Sequence, residues 1–199
     1  MSESPDSYSA FERKYLAPAR KVLRGVYRVP VKLLIALRVT PNLVSFSQII
    51  VGAIVVALIP TQPRLAFILF ILALMLDGID GALARETNRA SKFGALFDQY
   101  CDHAREVIVV AGFALHGALN PFLAGLYGLA YPAFNFTIYI CNANRAPVPF
   151  AIKSYAVVYP ALFLYLWFGV NVLDYAVALS ISLMTLVIAL GLNRLRRGM

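Results

Sequence analysis

Arg64-Leu-Ala-Phe-Ile-Leu-Phe-Ile-Leu-Ala-Leu-Met-Leu-Asp77-Gly-Ile-Asp80-Gly-Ala-Leu-Ala84 decides the fold. From Leu65 to Leu76 it is unbroken hydrocarbon, as in a helix that crosses about 30 Å of bilayer core, and it meets two carboxylates before the run ends. The rest of the 199-residue chain reads the same way. Apolar residues make up 60% and charged residues 14%, where a soluble domain carries about a quarter charged. Mean hydropathy is +0.72. A water-soluble globule is excluded on this composition, and disorder on the long apolar runs and an aromatic content of 13%.

Five more runs of similar character predict an all-α integral membrane protein with six spans, at Pro41–Ile59, Arg64–Ala84, Phe93–His116, Pro121–Cys141, Ser154–Gly169 and Asp174–Leu192. Counting Arg64 at the edge of the second span with the segment before it, the flanking segments hold eight, one, three, zero, two, zero and three Lys or Arg residues in order, with Arg105 left inside the third span. That alternation follows the positive-inside rule and places both termini in the cytoplasm. It also explains the net charge of +8 without nucleic acid, because eight of the eighteen basic residues precede Pro41. No apolar h-region precedes the first span, so no cleaved signal is expected.

Residues 1–40 read as a basic amphipathic arm. Phe11, Tyr15, Val22 and Val26 share one helical face, while Arg13, Lys14, Arg20, Lys21, Arg24 and Arg28 lie mostly around the others, which suits a helix on an anionic membrane surface. Pro30 is expected to break that helix before Val31–Arg38, and Thr40 or Asn42 to help start the first span. Residues 41–199 then form one membrane domain. Cys101 and Cys141 fall in or at the end of spans and suggest neither a disulfide framework nor a zinc site.

The chemistry lies between Asp77 and Asp102. A carboxylate in a membrane costs roughly 2.5 to 3.5 kcal/mol on insertion scales, so it needs a partner or a function. Asp77 and Asp80 share a helical face at i, i+3; Gly94, Asp98 and Asp102 recur at i, i+4, i+8 on the next helix. Two helices joined by a short loop thus aim two carboxylates each at a common point. Carboxylates that close cannot all stay ionised without cations between them. Arg85 and Lys92 are at hand, but oxygen-only donors without a His or Cys pair suit hard divalent ions better. Gly81, Ala84 and Gly94 remove bulk beside the acids, for helix packing or for a metal-bound diphosphate.

Asp77-x-x-Asp80-Gly81-x-x-Ala84-Arg85, eight residues, then Gly94-x-x-x-Asp98-x-x-x-Asp102 resembles the complete signature of the CDP-alcohol phosphotransferases, integral-membrane enzymes of phospholipid head-group synthesis. The resemblance implies transfer of a phosphatidyl group from a CDP-alcohol, usually CDP-diacylglycerol, to an acceptor hydroxyl, with release of CMP. It implies two Mg2+ or Mn2+ ions held by Asp77, Asp80, Asp98 and Asp102, with Asp102 also taking the acceptor's proton. It assigns Gly81 and Arg85 to the cytidine diphosphate, with Ser91, Thr40 and Asn42 as weaker matches nearby. A homodimer in a bacterial or archaeal cell membrane, with its active site facing the cytoplasm, is implied as well. The partners are then a CDP-alcohol lipid, a small alcohol and the bilayer.

For the acceptor, Arg105, Arg145 and Lys153 read as cations for a phosphorylated polyol such as inositol phosphate; glycerol 3-phosphate, serine and other alcohols stay open. Read singly, Arg145 and Lys153 are equally topology residues. Gln48, Gln99 and Asn135 read as interhelical hydrogen-bonding residues, His103 as an interior polar group, and Glu106 as a partner for Arg105 or an extension of the acidic site. A cation or proton transporter is the competing class, since acids on facing helices also serve as relays. Against it, the acids sit toward the cytoplasmic ends of their spans, and the second half carries no inverted copy.

Overall fold

The computed structural model describes residues 25–198, all of whose regular structure is helical. Residues 25–36 form α1, followed by α2 (Pro41–Leu58), α3 (Pro63–Glu86), α4 (Lys92–Leu115), α5 (Pro121–Ala143), α6 (Ser154–Phe168) and α7 (Leu173–Gly198). The arm residues Phe11 to Arg24 lie outside the described residues.

Local chemistry sets these boundaries. Pro41, Pro63 and Pro121 stand in the first turn of α2, α3 and α5, where a missing N–H costs nothing. Ser91 caps α4 by accepting from Gly94 N at 3.0 Å, and Asn120 caps α5 by accepting from Phe122 N at 2.9 Å. Thr40 occupies the N-cap of α2 without a side-chain hydrogen bond, so Pro41 and not a hydroxyl cap begins that helix. Gly169 closes α6 in the left-handed region at φ 72°.

Pro30 does not break α1: the helix runs through it. Tyr27, Val31 and Leu34 recur at i, i+4, i+7 and pack with Val44, Ile79 and Leu83, so burial outweighs the lost backbone bond.

Helices α2 to α7 follow the six expected runs, and three of them are long and apolar enough to cross a membrane: Pro41–Leu58, Pro63–Glu86 and Leu173–Arg197. The others depart for identifiable reasons. Lys92, Asp98, Asp102, Arg105 and Glu106 charge α4, and α5 is interrupted by Pro132, Asn135 and Thr137. The 15 residues of α6 reach only about 22 Å.

The described chain falls into two compact units, one ending at His116 and the other beginning at Gly117. In the first, α2 packs along both α3 and α4. The approach to α4 is close: a Cβ at Gly112 would run into Val56, and His116 Nε2 lies 3.0 Å from the Val56 carbonyl oxygen. In the second unit α7 packs against α5 and α6, and a Cβ at Gly191 would stand 2.7 Å from Thr137 Cγ2.

Candidate active site

The acids occupy the C-terminal half of α3 and the N-terminal half of α4, joined by the turn over 87–91. That turn is tight because Asn88 adopts φ 54°, a region asparagine tolerates, and the Arg89 N–H bonds back to the Ala84 carbonyl at 2.9 Å. Asp77, Asp80 and Asp102 all lie within electrostatic reach of Asp98, so the structure brings the four expected carboxylates into one neighbourhood.

Asp80 is the deepest of them at 3% exposure. Its Oδ2 accepts from Ser45 Oγ on α2 at 2.6 Å. The Asp80 and Asp98 carboxyls come within hydrogen-bonding reach of one another, while Oδ1 of each is buried with no hydrogen-bond partner. Two buried, unsatisfied carboxylate oxygens in one acidic cluster call for an explanation, and an oxygen-seeking cation is one that fits. As the side chains stand, no three His, Cys, Asp or Glu residues among those described are gathered as a metal-binding group. Oxygen-only donors are of the kind that suits hard divalent ions, although the side chains as they stand do not converge on one.

Asp102 is held elsewhere, because its Oδ1 accepts from Arg105 Nη2. Arg105 is 1% exposed and also donates through Nη1 to Gln48 Oε1. The cation expected to meet an acceptor phosphate is thus enclosed among α2, α3 and α4. Gln48 makes the interhelical bond expected of it. Asn135 instead donates to the Tyr131 carbonyl of its own helix at 3.0 Å, an i−4 bond that satisfies it without a second helix.

The nucleotide candidates fall at the same end of the unit. A Cβ at Gly81 would stand 3.4 Å from Arg85 Nη1, so the guanidinium folds back over the glycine one turn away. A Cβ at Gly94 would stand 3.2 Å from Ser91 Oγ and 3.6 Å from Asn42 Oδ1, which brings Asn42, Ser91 and Gly94 together at the start of α4. Thr40 is exposed just before α2. Arg145, at φ 56°, and Lys153 belong to the second unit, where Arg145 is exposed and Lys153 half-buried.

Two residues here had no place in the sequence reading. Ser45 is one, although Ser45, Gln48 and Gly52 form a small and polar stripe at helical spacing on an otherwise apolar span. Tyr27 is the other: its ring lies where a Cβ of Gly78 would sit, 2.5 Å away. Burial pushes the Tyr27 phenol above its usual range, and the charge of Asp77 adds to the effect.

Comparison with known proteins gives the family and the fold. Residues 38–193 match the CDP-alcohol phosphatidyltransferase family. The chain belongs to that family. It is 31% identical to human CDP-diacylglycerol–inositol 3-phosphatidyltransferase over 75 residues, covering 38% of this chain and 35% of that protein. It is 34% identical to the archaetidylinositol phosphate synthase of Pyrococcus horikoshii over 90 residues, covering 45% of this chain and 48% of that protein. The chain thus spans about a third to a half of the length of these relatives. The fold is shared with the phosphatidylinositol phosphate synthase of Mycobacterium tuberculosis, solved with CDP-DAG bound. The TM-score is 0.70 at 15% identity, covering 87% of this chain and 93% of that one.

Proposed function

We propose that this chain transfers a phosphatidyl group from CDP-diacylglycerol, or a close CDP-alcohol, to the hydroxyl of a small alcohol and releases CMP. The carrying observation is the pair of buried, unpartnered Oδ1 atoms on Asp80 and Asp98 within the family's signature. In the reaction the acceptor oxygen forms a bond to the lipid-side phosphorus, the bond from that phosphorus to the CMP oxygen breaks, and Asp102 takes the acceptor's proton. Asp77, Asp80, Asp98 and Asp102 would hold two Mg2+ or Mn2+ ions, which supply Lewis-acid stabilisation of the phosphoryl oxygens when bound. Arg85 and Gly81 bind the diphosphate of the donor, and Asn42, Ser91 and Thr40 flank its cytidine.

The acceptor we favour is a phosphorylated polyol such as inositol phosphate, with Arg145 and Lys153 supplying charge for its phosphate. The named relatives support this, because they include an inositol transferase and an archaetidylinositol phosphate synthase. A glycerol-3-phosphate enzyme from Cereibacter sphaeroides, 41% identical over 64 residues, keeps that acceptor in the panel. Residues 41–199 are read as one six-span membrane domain behind an arm over 1–40, with cytoplasmic termini, a cytoplasm-facing site in a bacterial or archaeal membrane, and a homodimeric state.

Purified protein in lipid nanodiscs, given labelled CDP-diacylglycerol and Mg2+, should release CMP only when the right alcohol is present, and not in chelator. No CMP with any of inositol phosphate, glycerol 3-phosphate, inositol or serine would overturn the reading. Full activity in chelator would remove the metals from it.

A further inference from the structure

Arg105 sits where a cation is hardest to keep. It lies in the middle of α4 at 1% exposure, and a buried guanidinium persists only where its donors are met. Three helices meet those of its two terminal nitrogens, while the buried Nε has no hydrogen-bond partner. Nη2 donates to Asp102 Oδ1 one turn back, Nη1 donates to Gln48 Oε1 on α2, and the Ala73 carbonyl of α3 lies 3.5 Å from Nη1.

The packing is shaped around this side chain. A Cβ at Gly52, one turn beyond Gln48, would stand 3.2 Å from Arg105 Cγ and 3.6 Å from its Cα, so the glycine leaves the arginine stem its room. Gln48 is fully buried and its Nε2 has no partner. A guanidinium only donates, so the amide must present its oxygen, and the orientation of Gln48 follows from Arg105.

We infer that Arg105 is a positioning residue for Asp102, with Gln48 as its anchor. This rests on the reading of Asp102 as the group that takes the acceptor's proton. A carboxylate turns easily about its last side-chain bond, and a charge-assisted bond from a donor fixed by a second helix narrows that rotation to one setting. The planar fork reaches Asp102 and Gln48 at once, which the single ammonium of lysine does not reproduce. With both terminal nitrogens engaged inside the protein, Arg105 works on the acid and not on the acceptor's phosphate.

The test compares wild type, Gln48→Leu and Arg105→Lys as full-length chains in nanodiscs. It reads kcat and both KM values for CMP release beside thermal unfolding. Positioning predicts that kcat falls about tenfold or more in each variant while donor and acceptor KM stay within about threefold. Gln48→Leu keeps the guanidinium, so it decides the matter if Arg105→Lys does not fold. A raised acceptor KM at unchanged kcat would make Arg105 an acceptor-binding cation and overturn the inference; so would unchanged kcat in both variants. Loss of fold in both would mark a purely structural pair and overturn it as well. A wild-type chain that releases no CMP overturns the transferase reading and this inference with it, whereas a working wild type beside unaffected variants overturns this inference alone.

Discussion

The two units of this protein bury polar side chains in opposite ways. In the unit ending at His116, Ser45, Gln48, Asp80, Arg105 and Glu106 are all buried, and two of the bonds among them cross between helices, from Ser45 to Asp80 and from Arg105 to Gln48. In the unit beginning at Gly117 the buried polar residues among those described are neutral, and two of them bond to the carbonyl four residues back, Asn135 to Tyr131 and Thr137 to Ala133. The buried Tyr127–Ser154 hydroxyl pair is an interhelical exception, and it too is uncharged. An i−4 bond satisfies a side chain wherever the helix goes, and a neutral pair asks little of its surroundings. A bond from a buried charged group to a side chain on another helix constrains how those helices meet. The difference marks the first unit as the one whose packing serves chemistry.

The strongest way to break that contrast is to neutralise an acid in the first unit and a hydroxyl in the second. Asp80→Asn and Asp98→Asn should reduce CMP release to background, because an amide keeps the shape and loses the charge that would hold a cation. Thr137→Val should keep kcat within about threefold, since its hydroxyl only returns to its own helix. Equal loss in both units, measured by CMP release, would erase the distinction.

A second comparison sharpens it within the acidic cluster. Asp102→Asn should bind CDP-diacylglycerol and fail to turn it over, while Asp80→Asn loses both, as read by donor binding beside single-turnover kinetics. Next comes the acceptor. Arg145→Ala or Lys153→Ala should raise the KM of a phosphorylated acceptor about tenfold or more, the size of a lost charged hydrogen bond of roughly 1.5 to 3 kcal/mol, with donor KM unchanged. Assay with inositol and inositol phosphate in parallel checks it, because an unphosphorylated acceptor should not respond.

Smaller effects follow. Ser45→Ala removes one bond to Asp80 Oδ2 and should lower kcat/KM about fivefold, near 1 kcal/mol, whereas Ser182→Ala, which gives up a bond to the Ala178 carbonyl on an exposed face, should change neither activity nor unfolding measurably. The smallest effect concerns Tyr27. Its raised phenol pKa means that folding favours the neutral ring, a preference present below the unfolded pKa of about 10 and lost only as pH rises through the folded value. Tyr27→Phe should therefore leave the shape of the pH–rate profile unchanged below about pH 10.

The sequence by itself determined the helices and the acidic signature. An unbroken apolar run such as Leu65–Leu76, closed by Pro63 at one end and by polar residues at the other, has few ways to satisfy its backbone in a bilayer, and four aspartates at helical spacing carry their own electrostatic demand. It misjudged what depends on contacts between distant segments. Pro30 read as a helix breaker because the propensity is local, and the helix survives because Tyr27, Val31 and Leu34 have a surface to cover. The charge of Arg105 was visible in the sequence, but its burial among three helices was not. Only the tertiary structure decided that Gln48, 57 residues away, would meet its guanidinium, and that Ser45 would take one oxygen of Asp80 while the other stays unpartnered. Spacing along one helix fixes which side chains share a face; which faces then meet depends on the packing of α2 against both α3 and α4, and that is a property of the assembled helices.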